Sequence, residues 1–265
     1  MQIRPNPKIS LSIVHEDPDL LIVDKPPGLV VQPGKGHTDD SLLNALFAQR
    51  DGHLGKLLHN LGERRDFGLL HRLDRETSGL LVIAKTPNAY DQLRRDFEDR
   101  RIDKEYRAIT AGIPQPRQGV VQARLKEIEI PNPDSRSGRG TIKKSVISRQ
   151  GQEAITAYKV LAETAANVRP TALVHLDIKT GRLHQIRAHM LFLNCQVLGD
   201  DIYDVPNPTF RVQDYPRAPR LCLHAARLGF KHPSLGKWVH YESPLPPDLA
   251  GYARKLGIPL PAKKE

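Results

Sequence analysis

The stretch His71-Arg72-Leu73-Asp74-Arg75-Glu76-Thr77-Ser78-Gly79 runs directly into the apolar segment Leu80-Leu81-Val82-Ile83-Ala84. A short continuous apolar run after a turn-forming Ser-Gly pair reads as a strand entered from a loop. That loop sets one carboxylate, Asp74, between two guanidiniums, and arginine keeps its charge at any ordinary pH. Such neighbours favour the ionised carboxylate. Held on a loop beside a strand, it is equipped for nucleophilic or electrostatic work on an electron-poor carbon. Taken alone, the same residues also fit a surface loop of ordinary ion pairs, so the rest of the chain has to decide.

The chain has 265 residues, enough for one large domain or two joined lobes. Forty Lys and Arg against thirty Asp and Glu give a formal net charge of +10, a field suited to a polyanionic partner. No apolar run is long enough to span a bilayer, and there is no lipidation signal. The start, Met1-Gln2-Ile3-Arg4-Pro5, lacks the apolar core of a secretory signal. Cys195 and Cys222 sit singly among apolar residues and read as reduced thiols of a cytoplasmic protein. Aromatic residues are only 5% of the chain, which argues against single-strand binding mainly by base stacking.

Outward from the loop, residues 1–10 read as a flexible lead-in, and Leu11–His15 and Leu20–Asp24 as strands joined at Asp17-Pro18-Asp19. Lys25-Pro26-Pro27-Gly28 is a stiff turn before an extended Leu29–Val31, and Asp40-Ser41 caps a helix over 42–47. Residues 51–67, charged and glycine-containing, read as a flexible insertion. Thr86-Pro87 opens a helix with Tyr90, Leu93 and Phe97 on one face. Strands are expected at 104–111, 120–125, 154–161 and 171–178, with a polar, basic loop over 131–150. Thr180-Gly181 then turns into a helix whose first turn holds Arg182. Residues 205–220 are a proline-rich surface loop, 221–225 a strand, and a hairpin returns at Trp238–Tyr241. Many strands with irregularly inserted helices and no βαβ rhythm imply an α+β fold with a mixed, mostly antiparallel sheet. Residues 11–258 form the folded body, and 259–265 a basic tail.

The fragments HRLDRETSGLLVIAKT, DLLIVDKPPGLVVQPG, KEYRAI, KTGRLHQIRAHM, LGDDIYD and LHAARLGFKHP together resemble the RluA-type pseudouridine synthases, in the same order. The resemblance runs from about Ile13 to Leu249. Leu183 departs from it, since the family more often carries Thr there. So does the lack of the small N-terminal RNA-binding domain of many members, because residues 1–10 are too few to fold alone.

The resemblance implies an isomerase that turns uridine in ribosomal or transfer RNA into pseudouridine with no metal or organic cofactor. It implies Asp74 as the essential carboxylate, which can attack C1′, take a sugar proton or add to the uracil ring. Arg182 matches the arginine that pairs with that carboxylate. Tyr106 matches an active-site tyrosine, and Leu223 an apolar floor under the uracil. Arg72 resembles a residue that fills the stack vacated by a flipped nucleotide. Arg75 and Arg187 are candidate phosphate or structural partners, the structural role being favoured for Arg187. His184 and Gln185 are hydrogen-bonding candidates beside the site, and His71 and His224 structural ones. No metal-ligand spacing emerges, since His184 and His189 at i, i+5 do not share a helix face. A monomer is expected. The competing readings are an N-glycosidase, which usually needs a second carboxylate, and a non-catalytic RNA-binding module.

Overall fold

The computed structural model describes residues 3–34, 36–131, 140–164, 169–204 and 215–260. Their strands, in chain order, are β1 (Ser12–Glu16), β2 (Leu20–Lys25), β3 (Ser78–Ala84), β4 (Asp103–Ala111), β5 (Gln118–Pro131), β6 (Thr141–Ile147), β7 (Gln152–Glu163), β8 (Thr171–Ile178), β9 (Leu223–Lys231) and β10 (Trp238–Glu242). The α-helices are α1 (Leu42–Ala48), α2 (His53–Leu61), α3 (Pro87–Glu98), α4 (Gln185–Phe192) and α5 (Pro247–Leu256). The class is α+β with antiparallel strands, as the pattern implied. The chain divides into two compact units, Met1–Lys104 with Ala225–Pro244, and Glu105–His224 with Leu245–Glu265.

In the first unit β2 lies between β1 and β3, antiparallel to both, with Val23 opposite Leu81 and Lys25 opposite Gly79. Their apolar runs are continuous because both faces are covered. Leu20, Ile22, Leu80 and Val82 pack with Ala89, Tyr90 and Leu93 of α3 and with Leu228 and Phe230 of β9. Leu21, Val23, Leu81 and Ile83 point to the other face and are also fully buried. Thr86 caps α3 by accepting the Ala89 N–H, with Pro87 in the first turn. Ser41 and Asn44 form a capping box on α1.

The segment read as a flexible insertion is instead ordered. It holds α2 and a 3-10 turn at Glu63–Gly68, because Leu54, Leu58 and Leu61 fall on one helical face and are buried.

In the second unit the strand order is β4-β8-β7-β5-β6, every pairing antiparallel. One row crosses it from Tyr106 through Leu176 and Tyr158 to Gly119. Strand β5 is longer than expected, and β6 lies inside the segment read as a loop. Polar residues on both disguised them: Gln122, Arg124 and Lys126 on one face of β5, and Glu127 and Glu129 with Lys143 of β6 on the other. Leu125 and Ala154 pack together with Ala188 and Tyr203. Residues 132–139 of that segment lie outside the described residues. So do 205–214 of the proline-rich loop, 261–265 of the tail and 1–2 of the lead-in. Both cysteines are free and buried, and burial pushes each thiol up to about 12. No helix among the described residues is long and apolar enough to cross a membrane.

Gly79 closes the loop 71–79 at the start of β3, with φ at +117°. A Cβ there would stand 2.2 Å from the Ala225 carbonyl oxygen on β9. Gly79→Ala is therefore expected to cost about 2–4 kcal/mol, from backbone strain and overpacking together. Gly236→Ala, also at positive φ but with only the Lys231 side chain at 4.0 Å, should cost about 1 kcal/mol. Urea unfolding of both variants checks the difference; equal losses would contradict the close approach at Gly79.

Candidate active site

Asp74 is half-buried, between an exposed Arg72 and an exposed Arg75. Its carbonyl accepts the Thr77 N–H at 3.1 Å, which closes a tight turn. The Arg75 Nε donates to the neighbouring Glu76 carboxylate at 2.7 Å, so the flanking guanidinium has an acidic partner of its own.

What holds this turn is Lys25. Its side chain is fully buried at the end of β2. Its ammonium donates to the carbonyls of Pro26 and Leu29 at 2.8 Å and of Arg75 at 3.0 Å. An ammonium has three N–H donors, and these three carbonyls match them in number. The Arg75 carbonyl also takes the Gly28 N–H at 2.8 Å, with Gly28 at φ +80° in the Pro-Pro-Gly turn. The turn 25–28 and the loop 71–79 are thereby tied at the residue next to Asp74. On the other side of Asp74, the Val82 N–H of β3 donates to Nε2 of His71 at 3.2 Å, and the ring stacks on Phe97. Burial, helped by the Lys104 charge, pushes the His71 imidazole down to about 3. It is neutral, with Nε2 as the acceptor, a structural anchor as expected.

Tyr106, Arg182, His184, Gln185, Arg187 and Leu223 belong to the second unit. Arg182 does not stand in the first turn of α4. It lies in the loop before the helix, whose cap residue is His184 in the left-handed conformation at φ 51°. The helix starts late because the Gln185 side chain turns back. Its Oε1 accepts the Thr180 hydroxyl at 2.7 Å and the Arg182 N–H at 3.1 Å. Its Nε2 donates to the Ile155 carbonyl at 2.9 Å and the Thr156 hydroxyl at 3.0 Å. Thr156 in turn meets His189 Nδ1 at 2.9 Å, and burial pushes that imidazole down to about 4. The Arg182 Nε donates to the Glu153 carbonyl at 3.2 Å, and the side chain is exposed. Gln185 thus fastens the loop that presents Arg182.

Arg187 is buried, bidentate to Asp200 at 2.7 Å on both bonds, with its guanidinium 5.0 Å above the Tyr203 ring. Of its two expected roles this is the structural one. His184 packs edge-on against Tyr203 at 5.7 Å. Tyr106 and Leu223 are both buried, on β4 and at the start of β9. Among the described residues, Asp17, Asp19 and His232 bring possible metal-ligand atoms within 4.8 Å of one another. However, His232 Nδ1 faces the N–H groups of Ser234 and Leu235, so Nε2 carries the proton and donates to Asp17 at 3.0 Å. The group is a hydrogen-bonded brace.

The sequence pattern of the family described as RNA pseudouridylate synthase matches residues 19–192. "Ribosomal large subunit pseudouridine synthase D" of Zymomonas mobilis is 37% identical over 243 residues, covering 91% of this chain and 71% of that protein. The protein of the same name from Nitrosomonas europaea is 37% identical over 251 residues, covering 94% of this chain and 66% of the relative. Among solved structures, "Human RNA Pseudouridylate Synthase Domain Containing 4" has a TM-score of 0.69 at 30% identity, covering 94% of each chain. "Human RNA Pseudouridylate Synthase Domain Containing 1" has 0.64 at 26%, covering 92% of this chain and 87% of that one.

Lys25→Met would take this donor from the Pro26 and Leu29 carbonyls and leave the Arg75 carbonyl only the Gly28 N–H, and is expected to cost about 2–4 kcal/mol. Urea unfolding reads it; a loss under about 0.5 kcal/mol would contradict the cage. The histidines predict a pH slope. An imidazole held below its usual 6.5 stays neutral in the fold and is protonated only on unfolding. Stability is then whole above about pH 6.5 and falls with pH, for His189 down to about 4 and for His71 down to about 3. Each contributes a slope of up to about 1.4 kcal/mol per pH unit. His71→Asn keeps an acceptor for Val82 but does not titrate, so stabilities measured at pH 7 and pH 5 should differ less in it than in the wild type. An unchanged difference would contradict the neutral His71.

Proposed function

This chain belongs to the RNA pseudouridylate synthase family, and from that premise we propose that it isomerises a uridine of large-subunit ribosomal RNA, with Asp74 as the reacting carboxylate. Members of the family are isomerases that act on uridine in RNA. The relatives named for the large ribosomal subunit favour ribosomal over transfer RNA as the substrate.

In this reaction the N1–C1′ bond breaks, the uracil turns within the pocket, and C5 bonds to C1′. The C5 proton leaves and N1 gains one, so the product is an isomer and nothing else is consumed. Uracil departs as a stabilised anion, which is why no cofactor is required of the protein. All three routes open to Asp74 need it ionised and fixed in place. The observation that carries the assignment is the anchoring of its turn: Lys25 and Gly28 hold the Arg75 carbonyl, while Asp74 itself stays half-buried and reachable. Positioning of that kind is worth several kcal/mol of barrier when a reacting group is pre-oriented.

Tyr106 and Arg182 are the further catalytic residues. Arg72 takes the place of the everted nucleotide, a role its exposure permits. A guanidinium can stack on bases and meet phosphate at once. Leu223 floors the uracil. Arg75, His184 and Gln185 support the site. Residues 11–258 are the catalytic body, and the protein acts as a cytoplasmic monomer.

Asp74→Asn keeps the shape of the side chain and removes its charge. It is expected to lower tritium release from 5-tritiated uridine in the RNA by at least about a thousandfold. RNA binding should stay within about twofold of the wild type. Pseudouridine formation at a wild-type rate in this variant would overturn the assignment. Free uracil from the wild-type protein would point to an N-glycosidase instead.

A further inference from the structure

Strand β5 has two unlike faces. Val121 and Leu125 point inward and are buried, whereas Gln122, Arg124 and Lys126 point outward and are exposed. The acids of the strand are kept off the outward row. Glu127 and Glu129 alternate with it, stand opposite Ser145 and Lys143 on β6, and Glu127 is paired with Lys143 at 3.5 Å. Among the described residues, the cations of the outward row meet only neutral oxygens. Arg124 donates to the Arg149 carbonyl at 3.3 Å and Lys126 to the Gln150 side-chain oxygen at 3.0 Å. Both partners lie in the turn between β6 and β7. That turn is closed by the Gly151 N–H on the Ser148 carbonyl and tied to β5 by the Ser148 N–H on the Arg124 carbonyl. It carries a third exposed cation, Arg149.

Beside this cluster is an open depression lined by Gln122, Ala123, Arg124 and Glu153. Glu153 is the cross-strand neighbour of Arg124, and its carboxylate takes the Gln122 amide at 3.3 Å. The carbonyl of the same Glu153 accepts the Arg182 Nε. A line of cationic groups therefore runs from Arg182, past the depression, to Arg124, Arg149 and Lys126.

We propose that this outward face of β5, with the β6–β7 turn, binds the phosphodiester backbone of the RNA substrate. Side chains two residues apart on a strand repeat about every 6.8 Å, so they can take successive phosphates along one nucleic-acid strand. The two β5 cations hydrogen-bond neutral groups, and among the described residues neither is taken up in an ion pair. Their hydrogen bonds to the turn also hold the Arg124 and Lys126 side chains in place beside Arg149, which lowers the ordering cost of binding for those two. The residues carry no base-reading geometry, so the surface adds affinity and register and not sequence choice. The proposal rests on the reading of the chain as an RNA-modifying enzyme.

The test is the combined variant Arg124→Gln, Lys126→Gln and Arg149→Gln, all at exposed positions. Binding of a large-subunit ribosomal RNA transcript is measured across a salt titration, and tritium release is followed at saturating RNA. The slope of log K against log salt should drop by about two to three, at roughly 0.7–0.9 per lost phosphate contact. Affinity at low salt should fall at least tenfold, while turnover at saturation and the unfolding midpoint stay unchanged. Lys143→Gln, on the other face, should leave the slope as it is. An unchanged slope in the combined variant overturns the proposal, as does an equal drop in Lys143→Gln; in the first case the cluster serves some other acidic partner. Tritium release by the wild-type protein tests the underlying reading separately: its absence would overturn that reading, while the slope would still decide the surface.

Discussion

One ammonium group, inside the protein, holds the turn that carries Asp74. Lys25 gives its three protons to three backbone carbonyls, one of them belonging to Arg75. Burying a charge is costly unless its hydrogen bonds are replaced in full. Once replaced, they give a charge-assisted clamp stronger than a set of neutral bonds. The residues around it serve the same end. Gly28 reaches the same carbonyl, Gly79 lets β9 approach closely, and His71 fixes the start of the loop on β3. Asp74, proposed as the reacting residue, thus has its backbone neighbours held on both sides.

The loop of Arg182 is solved differently. The neutral Gln185 amide holds it, satisfied at both ends by Thr180, the Arg182 N–H, Ile155 and Thr156. A neutral network of this kind avoids the desolvation penalty of an ion and still fixes one conformation. It leaves the guanidinium itself on the surface, where a charge is inexpensive to keep. Arg187, five residues on, illustrates the opposite choice. It spends its charge inside, on Asp200, as a strut under Tyr203.

Much of this was legible in the residues. The apolar runs of β2 and β3, the caps at Ser41 and Thr86, and the alternation in β8 are local signals, and local structure followed them. The loop around Asp74 was legible as a loop, but its anchor was not. Lys25 stands some fifty residues away in sequence, and a lysine beside Pro-Pro-Gly reads as a solvated turn until a third dimension supplies the carbonyls. Two elements were hidden by polarity: α2, whose leucines are spaced among His53, Lys56 and His59, and β6, where Lys143 and Lys144 interrupt the apolar residues. The start of α4 was misplaced because the Gln185 side chain takes the Arg182 N–H and reaches Ile155 and Thr156 on β7. For Lys25 the missing information was the partner, which lies outside any local window of the chain.

The turn after Asp74 is pinned as firmly as the core strands beside it. Amide hydrogen exchange of Gly28 and Thr77, the donors to the Arg75 and Asp74 carbonyls, measures this directly. Protection close to that of Val82 in β3 is expected. Exchange at the rate of an exposed loop, with Val82 still protected, would contradict it.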